Sequence, residues 1–393
     1  MTPSSARLYN GMGFTRFSIR SIAFSAGQRE LASAQRLAAM NNLAGFFLTF
    51  VAGASVGMSM WPLKWVRRLK WENFWLLYSI FSLIVVPFAL AFAVLPHLPA
   101  VYASLTPKQI LQPFLMGLLW GVAQLGAGLC VHKLGLAVAG AVMNGTAGAF
   151  GTVIPLISLH SSSTLAASGL WILTGTALML AGGAFCGWSG YLREVEARGR
   201  DKTAGFGQQQ TAMRQTSYAK RAYLLTLGLA VASGILGSLL NIALAYGGGI
   251  LKAAQDQGAQ ISRAPFAVWP IALLGGSVEN IVYSLYLLQK NRTWAWFRNL
   301  SVREILIPFL AACLWMAGIA LYSSGTTFLG SLGISIGYAA FMITMIISGQ
   351  FAGLMTGEWQ SMSQRTNRFF SLGVGLLVAA VLAIGTSKYL EAQ

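Results

Sequence analysis

The chain has 393 residues, of which 55% are hydrophobic and only 9% are charged. About a quarter of the residues in an average soluble domain are charged, so an ordinary soluble protein is excluded. The formal net charge is +17, but the cations stand in short polar loops between long apolar runs. That pattern is typical of orientation in a membrane. The sequence therefore predicts the lipid bilayer as a partner and no nucleic-acid partner.

Ten apolar segments are long enough to cross a bilayer. A helical span needs about 20 mainly apolar residues, because backbone groups in lipid have to be hydrogen-bonded within the segment. The runs lack the period-two alternation of membrane strands, so we expect an all-α membrane protein. In chain order the predicted spans are 43–62, 73–95, 110–131, 134–156, 168–189, 222–246, 265–288, 304–326, 329–355 and 368–387.

Loop charges predict the orientation of these spans. The loops after spans 1, 3, 5, 7 and 9 hold 18 Lys and Arg residues when Arg368, the first residue of span 10, is included, whereas the loops after spans 2, 4, 6 and 8 hold three. Because positively charged loops stay on the cytoplasmic side, the odd-numbered loops are predicted to be cytoplasmic and both termini to lie outside. The longest polar stretch, 191–220, is predicted to be a cytoplasmic linker between two transmembrane domains, 40–190 and 221–393.

Residues 1–39 conflict with this orientation, because they place five arginines on the predicted outer side. No continuous apolar stretch precedes a small-residue cleavage site there, so a signal peptide is not expected. Two interpretations stay open. The N-terminal extension is disordered, or translation starts at Met40 and the extension is a misassigned start.

An internal repeat divides the ten spans into two sets. The segment "PFLMGLLW" (113–120) recurs 195 residues later as "PFLAACLW" (308–315), and the same offset aligns "KLG" (133–135) with "FLG" (328–330). Two copies of five spans follow. Because five is an odd number, the second copy enters the membrane in the opposite sense, which is the inverted-repeat architecture common among secondary transporters.

One acidic residue lies deep within a predicted span. Nine of the ten acids stand in loops, tails or span ends, whereas Glu279 is in the middle of span 7. A charge at the bilayer centre costs a few kcal/mol, so such residues face the bundle interior and serve function by default. Glu279 is predicted to couple transport to protons; a hydrogen bond to substrate without proton exchange, and a structural role as a permanently protonated acid, stay open. Its helix face also carries Ala272, Gly275, Gly276 and Tyr283, and the three small residues admit a neighbouring helix or a ligand.

Polar and aromatic side chains in mid-span predict a site for a polyhydroxylated substrate near the membrane midplane. Trp120 lies one turn before Gln124, so that ring and amide share a helix face, and Trp315 is the repeat mate of Trp120. The alternative for each amide is an interhelical hydrogen bond, and for each tryptophan a helix interface. The predicted substrate-binding residues are Trp120, Gln124, Asn144, Asn241, Asn280, Tyr283, Trp315 and Gln350.

Other functional classes fit the sequence less well. A membrane enzyme would need paired carboxylates, a His–Asp set or a metal cluster near one face, and the three histidines stand in separate loop regions. The three cysteines lie in apolar runs without metal-ligand spacing. No catalytic residue, metal or other cofactor is therefore predicted, and the chain is not expected to be an enzyme. A proton-coupled exporter of drugs or metabolites with the same fold is the alternative, although five mid-span amides favour a polyol.

Three stretches carry a resemblance to a known family. They are "WPLKWVRRLKWENFWLLYSIFSLIVVPFALAFAVLP" (61–96), "FLMGLLWGVAQLGAGL" (114–129) and "GEWQSMSQRTNRFFSLGVGLLVAAVLAIG" (357–385). Together with span count and loop lengths over about 45–388, they resemble the L-rhamnose–proton symporter family of the drug/metabolite transporter superfamily. The resemblance implies a ten-helix carrier of the cell inner membrane that imports a deoxy-hexose, L-rhamnose or a relative, with a proton. Glu279 is not part of this resemblance.

Overall fold

The structure, a computed structural model, describes residues 39–134, 136–202, 216–355 and 363–391. All regular secondary structure in these ranges is helical. The predicted N-terminal extension, apart from Ala39, lies outside the described residues, and so does the middle of the predicted linker, 203–215. The chain divides into two compact units at Ala44, and every contact given below lies within residues 45–393.

Fourteen helices are labelled here in chain order. They are α1 (39–58), α2 (Trp71–Val94), α3 (Leu98–Ala103), α4 (Pro107–Leu134), α5 (Leu136–Leu159), α6 (Ser161–Thr164), α7 (Ala167–Lys202), α8 (Thr216–Gly237), α9 (Leu239–Ala245), α10 (Gly248–Asp256), α11 (Val268–Asn291), α12 (Val302–Phe328), α13 (Gly333–Met355) and α14 (Gln364–Glu391). Short 3-10 turns at Trp61–Trp65, Ala264–Ala267 and Thr293–Asn299 connect some of them.

The prediction of an all-α membrane protein is confirmed for the part of the chain that the structure describes. Each predicted span falls on a helix, and nine segments there are long and apolar enough to cross a membrane. The segment 110–131, in α4, is not among the nine. Ten spans and the inverted repeat therefore stay predictions.

Two helices depart from regular α geometry next to the centre of the bundle. In α2 the residues Phe81–Val85 form a π-helical stretch just before Pro87. Proline has no backbone N–H and its ring clashes with the carbonyl four residues earlier, and a wider turn relieves both conflicts. The second departure is the break between α8 and α9 at Ser238, whose hydroxyl donates to the carbonyl of Ile235 at 2.7 Å.

Helices α4 and α11 pack with their backbones in contact. A Cβ atom at Gly117 would overlap the carbonyl oxygen of Ala272, and one at Gly275 would overlap that of Phe114. Small residues at such positions allow close approach where the hydrophobic effect cannot drive association. The stripe of small residues on α11 therefore accommodates a helix, which was one of its two predicted uses.

Candidate functional site

Two connected cavities lie at the centre of the bundle. The inner cavity has a volume of about 260 Å³ and is distinguished by Trp269, Tyr338 and Phe341 in its lining. The mouth cavity has a volume of about 600 Å³ and reaches Leu63 and Trp71. Both residues lie in the first loop, which connects the predicted spans 43–62 and 73–95. The two share the lining residues Val56, Trp120, Gln124, Gly140, Asn144, Trp315 and Met345. The described part of the chain thus surrounds one continuous space large enough for a monosaccharide.

The two predicted tryptophans meet where the cavities join. The ring centroids of Trp120 and Trp315 are 6.0 Å apart at an interplanar angle of 31°. The ring of Trp120 rests on α11, since a Cβ atom at Gly276 would lie 2.8 Å from its Cε3. Both indoles are therefore held at the cavity wall, where a sugar ring could pack on them.

The predicted amides separate into two groups. Gln124, Asn144 and Gln350 line the cavities, are partly exposed, and form no hydrogen bond within the described part of the chain. Their amide groups are free for ligand hydroxyls, because no protein group competes for them. Asn241 and Asn280 also line a cavity, but both are engaged in protein hydrogen bonds.

Asn280 and Asn241 hold helices together. Asn280 accepts a hydrogen bond from Trp75 Nε1 at 3.1 Å and donates to the carbonyl of Gly276 at 2.8 Å. Asn241 donates to the carbonyl of Gly151 at 2.7 Å and accepts from the hydroxyl of Tyr322. Because α9 begins just after the break at Ser238, Asn241 reaches into the core and joins α5, α9 and α12. Interhelical bonding, the alternative weighed for every amide, fits these two.

Glu279 lies between α4 and α11 and is not among the residues lining either cavity. The side chain is half-buried; its Oε2 atom is buried against Gly121 and has no hydrogen-bond partner in the described part of the chain. Gly121 directly follows the cavity residue Trp120 on α4. Tyr283, one turn further along, is also outside both cavities; its side chain is 40% exposed and its ring stacks on Tyr286.

Sequence reasoning missed several residues at this site. Trp269 and Tyr338 line the inner cavity, and no spacing or repeat distinguished them from other aromatic residues. Two acids at span ends, Glu72 and Glu304, are also more buried than their position indicated. Glu72, 6% exposed, accepts hydrogen bonds from Asn291 Nδ2 at 3.0 Å and Thr293 Oγ1 at 2.9 Å. That network joins the start of α2 to the end of α11.

Comparison with known proteins decides the family. The model of the L-rhamnose-proton symport protein family matches residues 39–388. The chain belongs to this family. Among the relatives of this symporter chain are L-rhamnose-proton symporters of Mannheimia succiniciproducens, 23% identical over 354 residues, and of Pectobacterium carotovorum, 24% identical over 351 residues. A third, from Escherichia coli, is 22% identical over 349 residues. The alignments cover 87% of this chain and 96–97% of the relatives.

The membership confirms the resemblance and two coarser predictions. This member of the symport family is a multi-pass membrane protein, and its family is one of transporters, not of enzymes. The exporter alternative finds no support in these relatives. The family match does not assign roles to individual residues, so the site residues rest on the geometry above.

Proposed function

We propose that this protein imports L-rhamnose or a related deoxy-hexose together with a proton by alternating access, in the cell inner membrane. The observation that carries the proposal is the central cavity, in which two tryptophans in contact stand beside three amides that have no hydrogen-bond partner among the described residues. Relatives covering most of the chain are named L-rhamnose-proton symporters, which supports both the sugar and the coupling ion.

Each part of the cavity matches one chemical feature of a deoxy-hexose. Trp120 and Trp315 offer flat apolar faces for the C–H side of the sugar ring. Gln124, Asn144 and Gln350 each carry a donor and an acceptor, as a hydroxyl group requires. Ile319, Phe341 and Met342 line the inner cavity and form an apolar wall for the methyl group that replaces the sixth hydroxyl. Asn241 and Asn280 position the helices instead of contacting the sugar.

Proton coupling is assigned to Glu279, acting through helix packing. An ionised carboxylate would leave a charged, unpartnered oxygen buried against Gly121, which is costly, so the neutral acid favours the close α4–α11 contact. Loss of the proton weakens that contact and with it the position of Trp120. The sugar site and the proton site are thereby linked across one helix interface.

Uptake into vesicles tests the proposed function. We expect the purified full chain in proteoliposomes to accumulate radiolabelled L-rhamnose when an inward proton gradient is imposed, and a protonophore to abolish accumulation. L-Fucose and glucose, supplied in parallel, measure sugar selectivity. Uptake that is independent of the gradient would identify a facilitator, and proton-driven extrusion of the sugar would identify an exporter; either result contradicts symport.

The mouth cavity is proposed to face the cytoplasm, because its lining reaches the positively charged first loop. The odd-numbered loops are then cytoplasmic, the termini lie outside, and the structure is an inward-facing state. We expect Arg68→Cys, in the first loop, to react with a membrane-impermeant maleimide only from the cytoplasmic side. Ile261→Cys, in the loop before α11 and 65% exposed, is the matched variant and should react only from outside. The reverse labelling pattern would contradict this orientation.

A further inference from the structure

One residue that lines the inner cavity carries a hydrogen-bond donor without a partner among the described residues. Trp269 is 1% exposed and lines this cavity, yet its indole Nε1 atom is buried and forms no hydrogen bond in the described part of the chain. Indole N–H groups usually find a partner when they are buried. Leaving such a donor unsatisfied costs about 1–3 kcal/mol, so its environment is incomplete without another molecule.

The neighbouring polar groups do not supply that partner. Within the same lining, the hydroxyl of Tyr322 donates to Asn241, and Asn241 in turn donates to the carbonyl of Gly151. Those atoms are engaged with one another. Of the buried side-chain atoms that lack a partner among the described residues, only the one on Trp269 belongs to the inner cavity.

The position of Trp269 suits a ligand that enters from the mouth cavity. Trp269 is the second residue of α11 and is part of the inner cavity but not of the mouth cavity. A sugar packed against Trp120 and Trp315, which line both cavities, would extend into the inner cavity that Trp269 lines. The indole N–H of Trp269 could then donate a hydrogen bond to an oxygen atom of the sugar.

We propose that Trp269 is a substrate-contacting residue whose indole N–H donates a hydrogen bond to one specific hydroxyl group of the bound deoxy-hexose. This inference rests on the proposed function. It also means that α11 contacts both the sugar and the proton. Glu279 lies ten residues after Trp269 on this helix, roughly 15 Å away along its axis. Sugar bound at the start of α11 thereby restrains the helix that carries the proton site.

The test compares Trp269→Phe with wild-type protein in equilibrium binding of L-rhamnose and its 2-, 3- and 4-deoxy analogues. Phenylalanine keeps an aromatic ring and removes the donor. We expect the variant to bind L-rhamnose roughly three- to tenfold more weakly, the range of one neutral hydrogen bond. For the analogue that lacks the bonded hydroxyl, variant and wild type are expected to bind equally.

Each other outcome overturns part of the argument. An equal loss for every analogue would assign Trp269 to packing alone, and no loss for any would show that the donor bonds elsewhere; both results overturn the inference. Wild-type protein that binds no deoxy-hexose overturns the proposed function as well.

Trp171→Phe, at a half-exposed tryptophan on α7 outside both cavities, is the matched control and should bind as wild type does. If Trp269→Phe melts below the assay temperature, Trp269→His, which keeps a ring N–H, takes its place and should retain the selectivity among the analogues.

Discussion

Glu279→Gln is expected to abolish accumulation of sugar against its gradient while leaving sugar exchange across the membrane intact. Glutamine has the shape of the neutral acid but cannot release a proton, so the α4–α11 contact would stay in its protonated-like form. One proton moving through a potential of 100 mV supplies about 2.3 kcal/mol, which sustains about fifty-fold accumulation. The variant should therefore fall from about that ratio to equal concentrations, measured as steady-state uptake and as counterflow in proteoliposomes.

The same experiment separates coupling from a structural role. Glu72→Gln is the matched control, because Glu72 is likewise an acid packed between helices but has hydrogen-bond partners in Asn291 and Thr293. It is expected to keep coupled accumulation. Normal accumulation by Glu279→Gln would remove the coupling role, and loss of counterflow as well would indicate that Glu279 instead contacts the sugar or supports the fold.

Gly117→Ala is expected to lower the yield and melting temperature of the folded protein severely. The added Cβ atom would overlap the backbone carbonyl of Ala272, and neither helix can move away without breaking the facing contact of Gly275 with Phe114. Overpacking of this kind costs about 3 kcal/mol or more. Yield of monodisperse protein and thermal melting in detergent measure the effect.

Gly228→Ala provides the comparison for that result. Gly228 lies in α8, where an added Cβ atom would meet no atom within 4 Å. Alanine is the better helix former by about 1 kcal/mol, so this variant should be as stable as wild type or more stable. A Gly117→Ala protein with wild-type yield and melting temperature would show that the α4–α11 contact is looser than the structure has it.

The packing between α4 and α11 also explains why the site was only partly predictable. The spacing of Ala272, Gly275, Gly276 and Glu279 identified one helix face, but a face of small residues suits a helix as well as a ligand. Which of the two packs there depends on the neighbouring element, and in this structure that element is α4. Glu279 consequently lies against Gly121 of α4 and lines neither cavity.

The amides illustrate the same limit. Five side chains of the same chemical type occur in mid-span, and their sequence context did not separate those that bind helices from those that are free. Asn241 connects three helices, because the helix is interrupted at Ser238 and the side chain of Asn241 reaches Gly151 and Tyr322. Gln124 has no such neighbour and stays available.

By itself, the sequence determined the membrane environment, the helical class, the approximate positions of the spans and the family, because each depends on composition, on run length or on motifs contained in a single segment. The tertiary structure alone decided which side chains meet. It brought Trp120 to Trp315, separated free amides from bonded ones, and revealed that Trp269, in the cavity lining, has an indole N–H without a partner in the part of the chain that the structure describes. The physical reason is that availability for a ligand is a property of a group's neighbours, and those neighbours come from helices distant in the chain.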